Sequence, residues 1–91
     1  MSPEMRRLKK KADTLRVQFL NNDVDTAHTF VALARTDFST GETEHAEELL
    51  RKAQRAADQV EKLASKVDGH EAVRLRERLA KLRKTIDNAA R

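Results

Sequence analysis

Apolar residues along this chain recur every three or four positions, which is the spacing of one face of an α-helix. The first of two such stripes in the N-terminal half consists of Met5, Leu8, Ala12, Leu15 and Phe19. The second stripe points about a quarter turn away, counted at about 100° per residue, and consists of Ala27, Phe30, Val31, Ala34 and Phe38. A straight continuous helix would therefore have to bury two different faces. Residues 21–23, Asn-Asn-Asp, separate the two stripes, and such residues favour caps and turns. The pattern therefore predicts helices at about 4–20 and 24–40, with one long kinked helix as the alternative.

The second half of the chain carries a longer and more regular stripe. It alternates steps of four and three and consists of Ala46, Leu50, Ala53, Ala57, Val60, Ala64 and Val67. Residues 67–69, Val-Asp-Gly, are typical of a helix end, which predicts a helix at about 43–67. A last stripe predicts a helix over 70–90, and Asp68 with Glu71 has the spacing of a capping box at its start. The near-heptad period favours antiparallel packing of these helices.

Together these elements predict one domain, residues 1–91, with an all-α fold: a small antiparallel bundle of three or four helices. The composition agrees, because only two glycines and one proline interrupt a chain that is 38% hydrophobic and 37% charged. No segment alternates with period two, as a half-buried strand would. Ser2 as cap and Pro3 in the first helical position begin the first helix.

The segment 27–53 adds a family resemblance. Its apolar and turn residues have the order and spacing of one tetratricopeptide (TPR) repeat: Phe30, Leu33, Ala34, Gly41, Glu42, Ala46, Leu50 and Ala53. The segment resembles a single TPR helix hairpin, with Asp37 where an aromatic is usual and Asp58 where a proline usually ends the second helix. The resemblance implies a partner-binding face on the first helix that contains His28, Val31, Arg35, Phe38 and Ser39.

A non-enzymatic protein–protein interaction or self-assembling helical module is the predicted function, and the partner is a protein, a peptide or a second copy. A chain of 91 residues forms only a modest core, so self-association would help it. No Ser-His-Asp order or phosphate-binding glycine loop occurs, so an enzyme is not predicted. The chain has no cysteine, which excludes disulfides and thiolate metal sites.

The distribution of basic residues indicates an alternative function, which is nucleic-acid binding through the basic outer helices. The formal net charge is +4, and phosphates would be contacted by Arg6, Arg7, Lys10, Arg74, Arg78 and Lys81. The chain has no Trp or Tyr on which bases could stack, so this function ranks below protein binding. No segment approaches the roughly 20 apolar residues that cross a bilayer, so we predict no membrane contact and a cytoplasmic location.

Histidines raise the question of a metal site. Two of them follow a carboxylate by three residues, in the pairs Asp25–His28 and Glu42–His45. Facing helices of di-iron bundles carry this spacing. In a hairpin that turns at Gly41, however, the two histidines would lie about 13 Å apart along the helix axis. We therefore predict no metal ion and no other cofactor.

Overall fold

The computed structural model describes residues 2–90, which form three α-helices. The helices are α1 (Pro3–Ser39), α2 (Thr43–Ala64) and α3 (His70–Ala89). Short connections reverse the chain direction between successive helices, and each helix packs against the other two. The described residues contain no strand, so the predicted all-α bundle is confirmed. At about 1.5 Å per residue, α1 is about 55 Å long, and it sets the longest dimension of the molecule, 58 Å.

The first helix is continuous, so the predicted break at residues 21–23 is wrong and the alternative of a single helix is correct. Leu20 and Val24 lie on either side of this polar run, and both are buried in the core. The Asn21 side chain accepts a hydrogen bond from Arg78 of α3. Packing and this polar contact therefore outweigh the low helix propensity of Asn and Asp.

Both ends of α1 are formed as the sequence predicts. The Met5 N–H donates a hydrogen bond to the Ser2 hydroxyl, at 3.3 Å, which caps the start of the helix. At the other end, Gly41 has φ +87°, a left-handed conformation that glycine adopts without steric cost. The Glu42 N–H then donates to the Asp37 carbonyl at 2.8 Å, as in a Schellman motif. The turn between α1 and α2 is thus closed by backbone hydrogen bonds.

The connection between α2 and α3 differs from the prediction. The second helix ends at Ala64, three residues before the predicted end at Val67, although Val67 itself is buried. Gly69, with φ +92°, is the N-cap of α3, and no side chain caps this helix. The predicted capping box of Asp68 and Glu71 is therefore wrong. The N-cap falls one residue later, at the glycine that can adopt this backbone conformation.

The core is built from aliphatic side chains of all three helices. Its main cluster consists of Leu20, Val24, Ala27, Val31, Ala34, Ala46, Leu49, Leu50, Ala53, Ala57, Val60, Ala64, Leu75, Leu79, Leu82, Ile86 and Ala89. A smaller cluster of Val17, Val67 and Ala72 lies where α3 begins. No polar side chain is buried among the described residues. In α1 the core begins at Val17, and the residues before it contribute nothing to it.

Two arginines of α3 join it to the other helices through ion pairs. Arg78 pairs with Asp25 of α1. Arg83 pairs with two residues of α2, at 3.1 Å to Asp58 and 2.8 Å to Glu61. The carboxylates of these pairs are exposed, and each such pair contributes about 0–1 kcal/mol. These pairs therefore contribute little to the free energy of unfolding.

Candidate interaction surface

The N-terminal part of α1 is not covered by the rest of the chain. We call residues 3–16 the N-terminal arm. Every side chain in it is exposed except that of Asp13, which is partly exposed. At about 1.5 Å per residue the arm is about 21 Å long. It continues a helix whose later turns are anchored in the core, so its backbone direction is set from Val17 onward.

One face of the arm and the turn after it is apolar. This apolar stripe consists of Met5, Leu8, Ala12, Leu15 and Phe19. Its large members are 61%, 69%, 56% and 74% exposed, in the order Met5, Leu8, Leu15 and Phe19. They are four of the six large hydrophobic side chains that are exposed among residues 2–90. Single exposed apolar residues are ordinary, whereas contiguous exposed apolar patches are uncommon on monomeric proteins.

Basic residues dominate the arm around this stripe. Residues 1–22 contain six basic side chains, Arg6, Arg7, Lys9, Lys10, Lys11 and Arg16. The only acidic residues in the same segment are Glu4 and Asp13. At about 100° per residue, Lys9, Lys11 and Arg16 border the stripe, whereas Lys10 points away from it. An apolar contact along the stripe would therefore be bordered by positive charge.

The partner-binding face implied by the TPR resemblance is only partly on the surface. Arg35 and Ser39 are exposed, and His28 and Phe38 are partly buried. Val31 is 1% exposed and belongs to the core cluster, so it does not lie on the surface with the other four residues. The physical reason is that α2 and α3 both pack against α1, which buries the side of α1 that carries Val31.

The structure leaves five of the six predicted phosphate contacts exposed: Arg6, Arg7, Lys10, Arg74 and Lys81. The sixth, Arg78, is partly buried and donates to the side chains of Asn21 and Asp25. Arg78 therefore links α1 and α3, and its role as a phosphate contact stays a prediction. The exposed residues lie on two helices, three in the arm and two on α3.

A polar cluster lies at the turn between α1 and α2. One carboxylate oxygen of Asp37, one of Glu42 and a ring nitrogen of His45 all lie within 4.8 Å of one another. His45 Nδ1 contacts Asp37 Oδ2, which is an ion pair when the imidazole is protonated. The spacing of Glu42 and His45 is visible in the sequence, but Asp37 lies on the preceding helix and is brought close by the turn at Gly41. This contact links α1 to the first turn of α2.

No helix within residues 2–90 is both long and apolar enough to cross a membrane. Comparisons with models of protein families, with curated proteins and with solved structures found no match. The TPR resemblance of residues 27–53 therefore stays a prediction, although the two helices that it implies are present. The apolar stripe thus contains the four most exposed large hydrophobic side chains among residues 2–90.

Proposed function

We propose that this chain is a non-enzymatic helical interaction module that binds a second copy of itself through the apolar stripe. The observation that supports the proposal is the exposure of four large apolar side chains on one face of α1, each more than half accessible. Full burial of such a side chain contributes about 1.5–3 kcal/mol. Part of this gain is lost to the entropy of association, so a stripe of several residues is needed.

The arm has the residue spacing of one helix of a two-helix coiled coil. Its apolar residues are spaced three and four apart, which is the spacing of a coiled-coil seam. Isolated helices shorter than about 12–15 residues are marginal in water, and the arm has this length with no buried side chain. A partner helix along the stripe would therefore bury the apolar side chains and hold the arm helical.

A second copy is a suitable partner because it supplies the same stripe. Two-fold association places one surface patch against itself, which requires only that the patch be self-complementary. The alternation of large residues with Ala12 in the stripe leaves space into which a facing side chain can pack. The modest core of a 91-residue chain adds to the benefit of burying further apolar surface.

Sedimentation equilibrium of the wild-type chain and two glutamate variants tests this proposal. We expect the wild type to dimerise and Phe19→Glu to weaken dimerisation at least about a hundredfold. The reason is that two phenyl rings per dimer lose about 1.5–3 kcal/mol each, and about 1.4 kcal/mol is a factor of ten. Val73→Glu introduces the same charged side chain at an apolar residue of α3 that is 51% exposed, and it should leave dimerisation unchanged.

A wild-type chain that stays monomeric at high micromolar concentration would contradict the proposal, as would equal effects of the two variants. Titration of the wild-type chain with oligonucleotides tests the alternative function, which is nucleic-acid binding. Phosphate binding by the arm and α3 must weaken steeply with salt, whereas apolar helix packing responds much less. Tight, salt-sensitive oligonucleotide binding by a monomer would favour the nucleic-acid function.

A further inference from the structure

We propose that Asp37, Glu42 and His45 form a binding site for a divalent transition-metal ion, Zn²⁺. The three side chains meet at the turn between α1 and α2. One ligand atom of each lies within 4.8 Å of the other two. Along α1, at about 1.5 Å per residue, Asp37 lies about 30 Å from the end of the N-terminal arm. The metal site is therefore separate from the apolar stripe and does not depend on the proposed self-association.

The backbone of the turn brings the three side chains together. Gly41 adopts the left-handed conformation that ends α1, and the Glu42 N–H donates a hydrogen bond to the Asp37 carbonyl at 2.8 Å. This bond holds Glu42, the N-cap residue of α2, beside the last turns of α1. His45 follows Glu42 by three residues, so the two side chains lie on one face of α2. An ion bound by all three would join the two helices.

The separations of the ligand atoms suit one shared ion. Zn²⁺ binds histidine nitrogen and carboxylate oxygen at about 2.0–2.2 Å, and tetrahedral angles then place neighbouring ligand atoms about 3.3–3.6 Å apart. His45 Nδ1 and Asp37 Oδ2 are in direct contact, so they must move apart to admit the ion. The His45 side chain is 61% exposed and can rotate, whereas that of Asp37 is 17% exposed. The ion replaces the proton between these two atoms, and the neutral imidazole then carries its proton on Nε2.

The chemistry of the ligands selects the ion. An imidazole nitrogen favours transition-metal ions such as Zn²⁺ over Mg²⁺ and Ca²⁺, which prefer oxygen ligands alone. The two carboxylates together balance the charge of a divalent ion. Three protein ligands leave the fourth tetrahedral position for a water molecule. Glu42 and His45 line an open depression on the surface, so both the ion and this water have access from solvent.

The surrounding charge also favours a cation. Residues 36–50 contain no Lys or Arg and have five acidic residues, Asp37, Glu42, Glu44, Glu47 and Glu48. The Glu42 side chain makes no capping hydrogen bond to α2, so its carboxylate is available as a ligand. The negative end of the α1 dipole lies beside the positive end of the α2 dipole, and the two offset one another. The acidic side chains therefore set the local potential.

This site uses a different pair of helix positions from those that the sequence pattern indicates. The sequence prediction of no metal ion rests on the separation of His28 and His45 along the hairpin. Here Asp37 of α1 takes the place of His28, because the turn at Gly41 brings it into contact with His45. One histidine is then sufficient, since the two carboxylates supply the other ligands.

Isothermal titration calorimetry of the full chain with zinc chloride at neutral pH tests the proposal. We expect one Zn²⁺ per chain. His45→Ala and Glu42→Gln should each weaken binding at least about tenfold, because removal of a group that only supports a metal ligand already costs about 10–100-fold. His70→Ala and Glu44→Gln are the matched controls. They make the same changes at exposed residues outside the cluster and should leave the dissociation constant unchanged.

Nuclear magnetic resonance of the histidine side chains in the wild-type chain gives a second measurement that needs no variant. Zn²⁺ should shift the imidazole signals of His45 and leave those of His28 and His70 in place. A wild-type chain that binds no Zn²⁺ at millimolar concentration would overturn the proposal. Equal losses for the cluster variants and their controls, or equal shifts for all three histidines, would also overturn it, since either result indicates nonspecific binding.

Discussion

Leu82→Ala is expected to lower the free energy of unfolding by about 2–5 kcal/mol. Leu82 has an exposed fraction of 0% and lies in the main core cluster, to which all three helices contribute. Removal of its branched end loses the transfer free energy of the deleted atoms and leaves a cavity in a close-packed region. Urea denaturation followed by circular dichroism measures the effect.

Val73→Ala is the control for this substitution on the same helix. Val73 is 51% exposed, so its truncation should change the free energy of unfolding by no more than about 0.5 kcal/mol. Equal losses for the two variants, or a larger loss for Val73→Ala, would show that α3 presents a different face to the core.

Ala53→Leu is expected to lower the free energy of unfolding by about 1–3 kcal/mol through overpacking. Ala53 is 0% exposed in α2, as are Ala46 and Ala57 on the same stripe. These small side chains allow helix backbones to approach closely, toward the short end of the usual range of about 8–10 Å. A leucine at this position must displace a neighbour or separate the helices. Urea denaturation of the variant measures the cost.

The matched control is Ala32→Leu, which adds the same atoms at an exposed position of α1. It should have little effect, because the new side chain extends into solvent. If Ala53→Leu left the free energy of unfolding unchanged while Ala32→Leu lowered it, the close contact between the helices would involve Ala32 and not Ala53.

Helical periodicity was sufficient to predict most of the core. Each of the seven stripe residues predicted for the second helix is buried, from Ala46 to Val67. The turn at Gly41 and the cap at Ser2 were also predicted correctly, since both depend on local backbone chemistry. Features that depend on a few neighbouring residues or on a regular period were therefore accessible from the sequence.

The exposure of the first stripe could not be predicted from periodicity. Met5, Leu8 and Leu15 have the spacing of core residues, and periodicity alone does not show whether the same chain covers them. The assumption that both stripes of α1 must be buried led to the incorrect break at residues 21–23. The signal in the sequence was the density of charge around the stripe, since five of the six residues from Arg6 to Lys11 are basic.

Contacts between helices account for the remaining differences. Arg78 was assigned to phosphate binding because its charge is visible in the sequence, whereas its pairing with Asp25 is 53 residues distant in the chain. Asp37 and His45 meet only because the turn between α1 and α2 is tight. Such pairings depend on the rotation of the helices relative to one another, which the sequence alone does not specify.

Hydrogen exchange at two protein concentrations tests most directly the claim that the N-terminal arm is an interaction surface. Amide protection follows the free energy of local opening, and the arm has no buried side chain of its own. We expect amides of residues 5–16 to exchange fast when the chain is dilute and to become protected as concentration rises, while those of residues 46–60 stay protected throughout. An arm whose protection does not change with concentration, or equals that of α2 in the dilute chain, would contradict the account.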